Sequence, residues 1–130
     1  MARFGTIEIP DAIAPAWIVL TNANEGGEEL LSVVEGDFRA VFHEESPSAR
    51  RSKIASAAAS LVGSGLCVVY RQSSLHDKTN LPLSDQRIAP GLIAGLATDL
   101  AAWGTATIAT TPEGHAVWLS GPEALAERLE

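Results

Sequence analysis

The chain has one cysteine, one tyrosine and three phenylalanines among 130 residues, and aromatic residues make up only 5% of it. The single thiol, Cys67, excludes an internal disulfide and a tetrathiolate zinc site. It stands in the apolar run Leu66-Cys67-Val68-Val69-Tyr70, where a buried, inert thiol is the expectation. No stretch of about 18 uninterrupted apolar residues occurs, so no segment reads as a membrane span. The start, Met1-Ala2-Arg3-Phe4, lacks the long apolar run of a secretory signal, which leaves a cytoplasmic location as the default expectation. Positive charge is also scarce, with 9 Lys+Arg against 16 Asp+Glu and a net charge of −7. That field repels nucleic acid at long range and suits a basic partner, while leaving room for a local basic patch.

What is abundant is aliphatic material. Hydrophobic residues reach 46%, ample for one domain and one core built of Ala, Leu, Ile and Val. Trp17, Trp103 and Trp118 are its large anchors. Residues 1–14 read as an arm in which Thr6-Ile7-Glu8-Ile9 alternates like a strand until Pro10. Ala16-Trp17-Ile18-Val19-Leu20 fits either a helix opened by Pro15 or a buried strand, and Gly26-Gly27 ends it. Leu30, Leu31, Val33 and Val34 fall near helical spacing, with Glu28 and Glu29 in the expected first turn and Gly36 as a break or bend.

Ser46-Pro47 opens the best-marked helix, residues 47–63, with Ser46 as N-cap and Ile54, Ala58, Leu61 and Val62 on one face. Gly63-Ser64-Gly65 stops it, and Leu66 to Tyr70 reads as a strand. Residues 72–82 are a polar loop with Lys78, Asn80 and Pro82. Leu83, Ile88, Leu92, Leu96 and Leu100 then recur at helical spacing, with a kink or a fresh start at Pro90. Thr105 to Thr110 and His115 to Leu119 read as a hairpin around Pro112-Glu113-Gly114, followed by a short helix over Glu123 to Arg128. Leu129-Glu130 are set aside as a candidate cloning remnant.

Chemistry-bearing residues are sparse. His43, His76 and His115 have no ligand partner at metal spacing, and neither a metal nor a cofactor is implied. His43 sits with Glu44 and Glu45 in an acidic loop, and His115 reads as a hairpin side chain. His76-Asp77 is the one pair that a general base could use, and with the scattered serines it is all that an enzymatic reading has. Gly63-Ser64-Gly65 follows a helix and precedes a strand, the reverse of a nucleophile elbow. No phosphate loop or dinucleotide fingerprint occurs.

Charge placement says more. From Ser46 to Leu75 the charged residues are Arg50, Arg51, Lys53 and Arg71, with no acid among them. Three of these stand in the first turns of the best-marked helix, interleaved with Ser48 and Ser52, where the dipole disfavours cations. Basic and hydroxyl residues at a helix start are what phosphate and base-edge contacts use. The plainer alternative is a solvated face that offsets Glu44 and Glu45.

The stretch from Lys53 to Val69, a helix running through Gly63-Ser64-Gly65-Leu66 into an apolar strand, resembles the third helix and strand of the winged-helix superfamily. Thr107-Ile108-Ala109-Thr110-Thr111-Pro112-Glu113-Gly114 is similar to the segment around its wing. The resemblance covers about residues 15–71 and 105–119. It implies an α+β winged-helix-like domain: helices followed by a small antiparallel sheet, with an extra helix inserted around 83–103. On this plan 1–130 is a single domain, with an arm (1–14), a helical core and first strand (15–71), an inserted loop and helix (72–104), and a hairpin with a C-terminal helix (105–128).

The expected function is a non-enzymatic regulatory module, either binding duplex DNA through Arg50, Arg51, Lys53 and Arg71 or binding a protein. The protein form is an immunity or antitoxin-like inhibitor of a basic partner, presenting Glu25, Glu28, Glu29, Glu35, Asp37, Glu44 and Glu45. A homodimer is also open, because the Ala-rich stretch 54–62 would let a second helix approach closely.

Overall fold

The computed structural model describes residues 1–71 and 87–130. The polar loop 72–82, Leu83 and the pair His76-Asp77 lie outside the described residues. The chain is α+β, with helices packed around one core and a small antiparallel sheet. The arm is a hairpin, β1 (Ala2–Phe4) with β2 (Ile7–Ile9), turning at Gly5, whose φ of +64° suits a residue without a Cβ.

Helix α1 (Ala14–Asn24) settles the ambiguous Trp17 run. Ala14 and every residue from Ala16 to Ala23 are buried. A helix buried all round shows no amphipathic stripe, which is why its composition alone also fits a strand. Trp17 stacks on Trp118 with centroids 6.3 Å apart, and the Trp118 indole donates to Thr21 Oγ1 at 3.0 Å.

Glu28 and Glu29 are not in a helical first turn. They belong to strand β3 (Glu28–Leu30), which pairs antiparallel with a strand some eighty positions later. Three residues are too few to display a period, and their pairing partner is remote. Helix α2 (Leu31–Val41) starts directly after β3 and buries Leu31, Val34 and Phe38 on one stripe. It continues unbroken through Gly36, so of the expected break or bend the break does not occur.

Helix α3 (Pro47–Gly63) has the expected limits. Ser46 Oγ accepts from the Ala49 amide at 3.2 Å, and Ile54, Ala58 and Leu61 are wholly buried. Gly65, at φ +77°, then turns the chain into β4 (Cys67–Arg71). The inserted region is segmented rather than one helix. A first turn, α4 (Pro90–Ile93), passes into a 3-10 turn (Ala94–Thr98), and α5 (Leu100–Trp103) is capped by Asp99. Pro90 is therefore a fresh start, and the Asp99 cap divides the remainder.

Strand β5 (Ala106–Thr110) is the centre of the sheet, whose order is β3-β5-β4, antiparallel throughout. Cys67 stands opposite Thr110, and Arg71 opposite Ala106.

The expected hairpin around Pro112-Glu113-Gly114 is a correction. After β5 the chain enters helix α6 (Pro112–Ser120) and then α7 (Pro122–Leu129). Thr111 is the N-cap, its Oγ1 accepting from the Gly114 amide at 3.0 Å, with Pro112 in the first turn and Glu113 favoured by the dipole. The same four residues spell a turn or a helix start, and among the described residues no strand pairs with 115–119. His115 is accordingly a helical side chain.

Helix α6 is pinned against the start of β4. Thr111 donates through its amide to Leu66 O at 3.0 Å and through its hydroxyl to Gly65 O at 2.7 Å. Gly114 lies over the same carbonyl, and a Cβ on it would stand 1.9 Å from Leu66 O. Gly114→Ala is expected to destabilise the fold by about 3 kcal/mol, because backbone must move to admit the methyl. Gly36→Ala, in open space within α2, is expected to be neutral or stabilising by up to about 1 kcal/mol. Urea unfolding of both variants checks the contrast.

Candidate functional site around the first turns of helix α3

Three of the four expected basic residues come together at the start of α3, and each is engaged by groups of the same chain, Arg50 buried and Lys53 with its side chain still 41% exposed. Arg50 is only 6% exposed, and its Nη1 donates to the Glu45 carbonyl. Its Nε is buried with no hydrogen-bond partner among the described residues. Arg51 donates through Nε to Ala97 O at 3.3 Å and pairs through Nη1 with Glu35 at 3.7 Å. Lys53 Nζ lies 2.9 Å from Glu45 Oε1 and 4.9 Å from the Phe42 ring centroid, a cation–π contact. Arg71 stands apart, exposed at the end of β4.

The acidic set divides in the same way. Glu35 and Glu45 are the partners just named, Asp37 accepts from Asn22 Nδ2 at 2.9 Å, and Glu29 Oε1 accepts from the Leu30 amide at 3.0 Å. Glu25, Glu28 and Glu44 are exposed and form no ion pair among the described residues. His43 is exposed beside Glu44, and His115 Nδ1 meets Asn24 Oδ1 at 2.7 Å. Among the described residues no three His, Cys, Asp or Glu side chains gather as a metal site.

Two surface features went unread in the sequence. A cleft of about 370 Å³ between α2 and the first turn of α3 is lined by Ser32, Glu35, Gly36, Arg39, Pro47 and Arg50. Its α2 wall follows i, i+3, i+4, i+7 spacing, a pattern visible in the sequence once that helix is known to run through Gly36. A groove of about 620 Å³ runs between the entry to α1, the Ser56–Ser60 face of α3 and the end of α7. Leu129, set aside on sequence grounds, lines it and packs on the core. Three alanines of α3, Ala55, Ala57 and Ala58, are buried against the chain's own elements, and Ala59 is half-buried.

No family model matches the chain, and neither do curated proteins or solved structures. Among the described residues no helix is long and apolar enough to cross a membrane.

Cys67 offers no nucleophile, because burial pushes its thiol up to about 12 from 9.0. The native protein is expected to resist a water-soluble disulfide reagent at pH 8 and to react fully in urea. The unfolded thiol ionises near pH 9 while the folded one holds its proton. Stability is therefore expected to fall as pH rises from about 9 towards about 12, a slope that Cys67→Ala removes.

Proposed function

We propose that the chain is a non-enzymatic interaction module on a winged-helix-like plan, and that its partner is a basic protein. The element order supports the plan: α2 and α3 are joined by a short turn, α1 packs across α3, and β4 leaves α3 to pair with β5. One observation carries the choice of partner. Every cation in the first turns of α3 is engaged by groups of the same molecule, while Glu25, Glu28 and Glu44 face outward on a chain of net charge −7. The segment 90–98 also lies against α3, on the helix that a duplex binder would present. Outward acids steer a basic protein into contact and set its register.

The DNA-binding form of the same plan has the exposed Arg71 in its favour, with Arg39 beside α3. Fluorescence anisotropy with a mixed-sequence duplex at about 50 mM salt separates the two. No saturable binding is expected, and salt-sensitive binding that weakens on Arg71→Ala would overturn the protein reading. Co-expression with the products of neighbouring genes is expected to yield a complex with a basic polypeptide that dissociates as salt rises. Glu25→Gln/Glu28→Gln/Glu44→Gln is expected to weaken that complex about tenfold, roughly 1.4 kcal/mol.

A further inference from the structure

Charge is unevenly placed along this acidic chain. From Ile54 to Tyr70 no residue is charged, and from Ile88 to Pro112 Asp99 alone is. The fold brings these two stretches together, because the segment 90–98 packs on α3 and β4 pairs with β5. A pocket of about 450 Å³ opens at their junction, with Val62, Val68, Ala89 and Pro90 among its apolar walls. It lies at the edge of β4 that β5 leaves open, where the Ile88 amide donates to Val69 O at 2.8 Å. Among the described residues Arg87 is the only charged one to line it.

Beside this pocket stands an outward leucine. The Leu92 amide donates to Ala89 O at 2.9 Å, so Leu92 sits one turn beyond the pocket wall. Its side chain is 69% exposed and does not line the pocket. Leu100, directly after Asp99, is 64% exposed. Scattered exposed leucines are ordinary on a protein surface, but an exposed leucine beside an open apolar pocket on a face nearly free of charge marks a contact. A two-fold contact requires one self-complementary patch, so that each copy supplies both the projection and the hollow. Leu92 and the pocket meet that requirement.

We propose that this face joins two copies of the chain, with Leu92 of each entering the pocket of the other. Charge selects a second copy as the occupant. Each copy carries −7, and like net charges hold copies apart wherever their acids meet. On this face that repulsion is weakest. Its two charged residues, Arg87 and Asp99, are exposed and of opposite sign, so a two-fold contact can set Arg87 of one copy against Asp99 of the other twice over. A basic protein finds no net charge to recognise here. Glu28 lies on β3, at the opposite edge of the sheet, so the dimer face leaves the acidic surface open. A contact built on one projection and one hollow per copy is small, and association in the micromolar range is expected.

The test is analytical ultracentrifugation of the full chain over about a hundredfold range of concentration, with amide chemical shifts on dilution to locate the contact. A monomer–dimer equilibrium is expected, with shifts centred on 65–69 and 87–92. Leu92→Asp puts a carboxylate where the fold leaves the side chain exposed. It is expected to keep the melting temperature and to weaken the dimer about tenfold or more. Arg87→Glu is expected to weaken it several-fold. Adding Asp99→Asn, which keeps the helix cap, is expected to recover part of that loss. Glu28→Gln/Glu44→Gln is expected to leave dimerisation unchanged, which separates this face from capture of a basic partner. A chain that stays monomeric throughout, dimerisation unaltered by Leu92→Asp, or dilution shifts confined to another surface would overturn the proposal. So would a monomer whose pocket saturates with a small apolar probe such as anilinonaphthalene sulfonate, because the pocket would then be a ligand site.

Discussion

Burial of helix α3 is the constraint on which the remaining elements depend. Ile54, Ala58 and Leu61 are wholly inaccessible, and Ala55 nearly so. Helices α1 and α2, the segment 90–98 and strand β4 all rest on this one helix. Its alanines allow close approach, so neighbours pack on several sides of a helix that is not itself strongly hydrophobic. Its end is equally consequential, because Gly65 turns the chain so that Leu66 can receive Thr111 and lie beneath Gly114. That contact ties the last third of the chain to the helical core.

The electrostatics follow from the same packing. Cations in the first turns of a helix oppose its dipole, yet here each has a local answer. Arg50 meets the Glu45 carbonyl, Arg51 bridges to Glu35 and Ala97 O, and Lys53 meets the Glu45 carboxylate over Phe42. The basic window in the sequence thus works largely as internal bonding between α3, α2 and the segment 90–98. Its one incompletely answered member is Arg50, which keeps a buried Nε with no hydrogen-bond partner among the described residues.

Features carried by local chemistry were legible in the chain itself. The limits of α3 rest on Ser46, Pro47 and the Gly63-Ser64-Gly65 turn, and β4 on its apolar, β-branched run. Pro90 starts a helical turn for the same local reason. Features set by remote partners were not legible. Glu28 and Glu29 join a strand because β5 lies beside them, and α1 hides its helical period because it is buried on every side. Thr111-Pro112-Glu113-Gly114 carries both turn and N-cap chemistry, and the choice fell to the close approach over Leu66.

By itself the sequence determined a lone unreactive thiol, an aliphatic core and one cationic, acid-free window in an acidic chain. Each of these follows from residue type and short-range spacing. Only the tertiary structure decided which way the charges point, because an ion pair such as Arg51 with Glu35 joins two helices whose packing no local pattern encodes. The same holds for the cleft at Gly36: its floor belongs to α2, its buried cation to α3, and it exists only where the two helices meet.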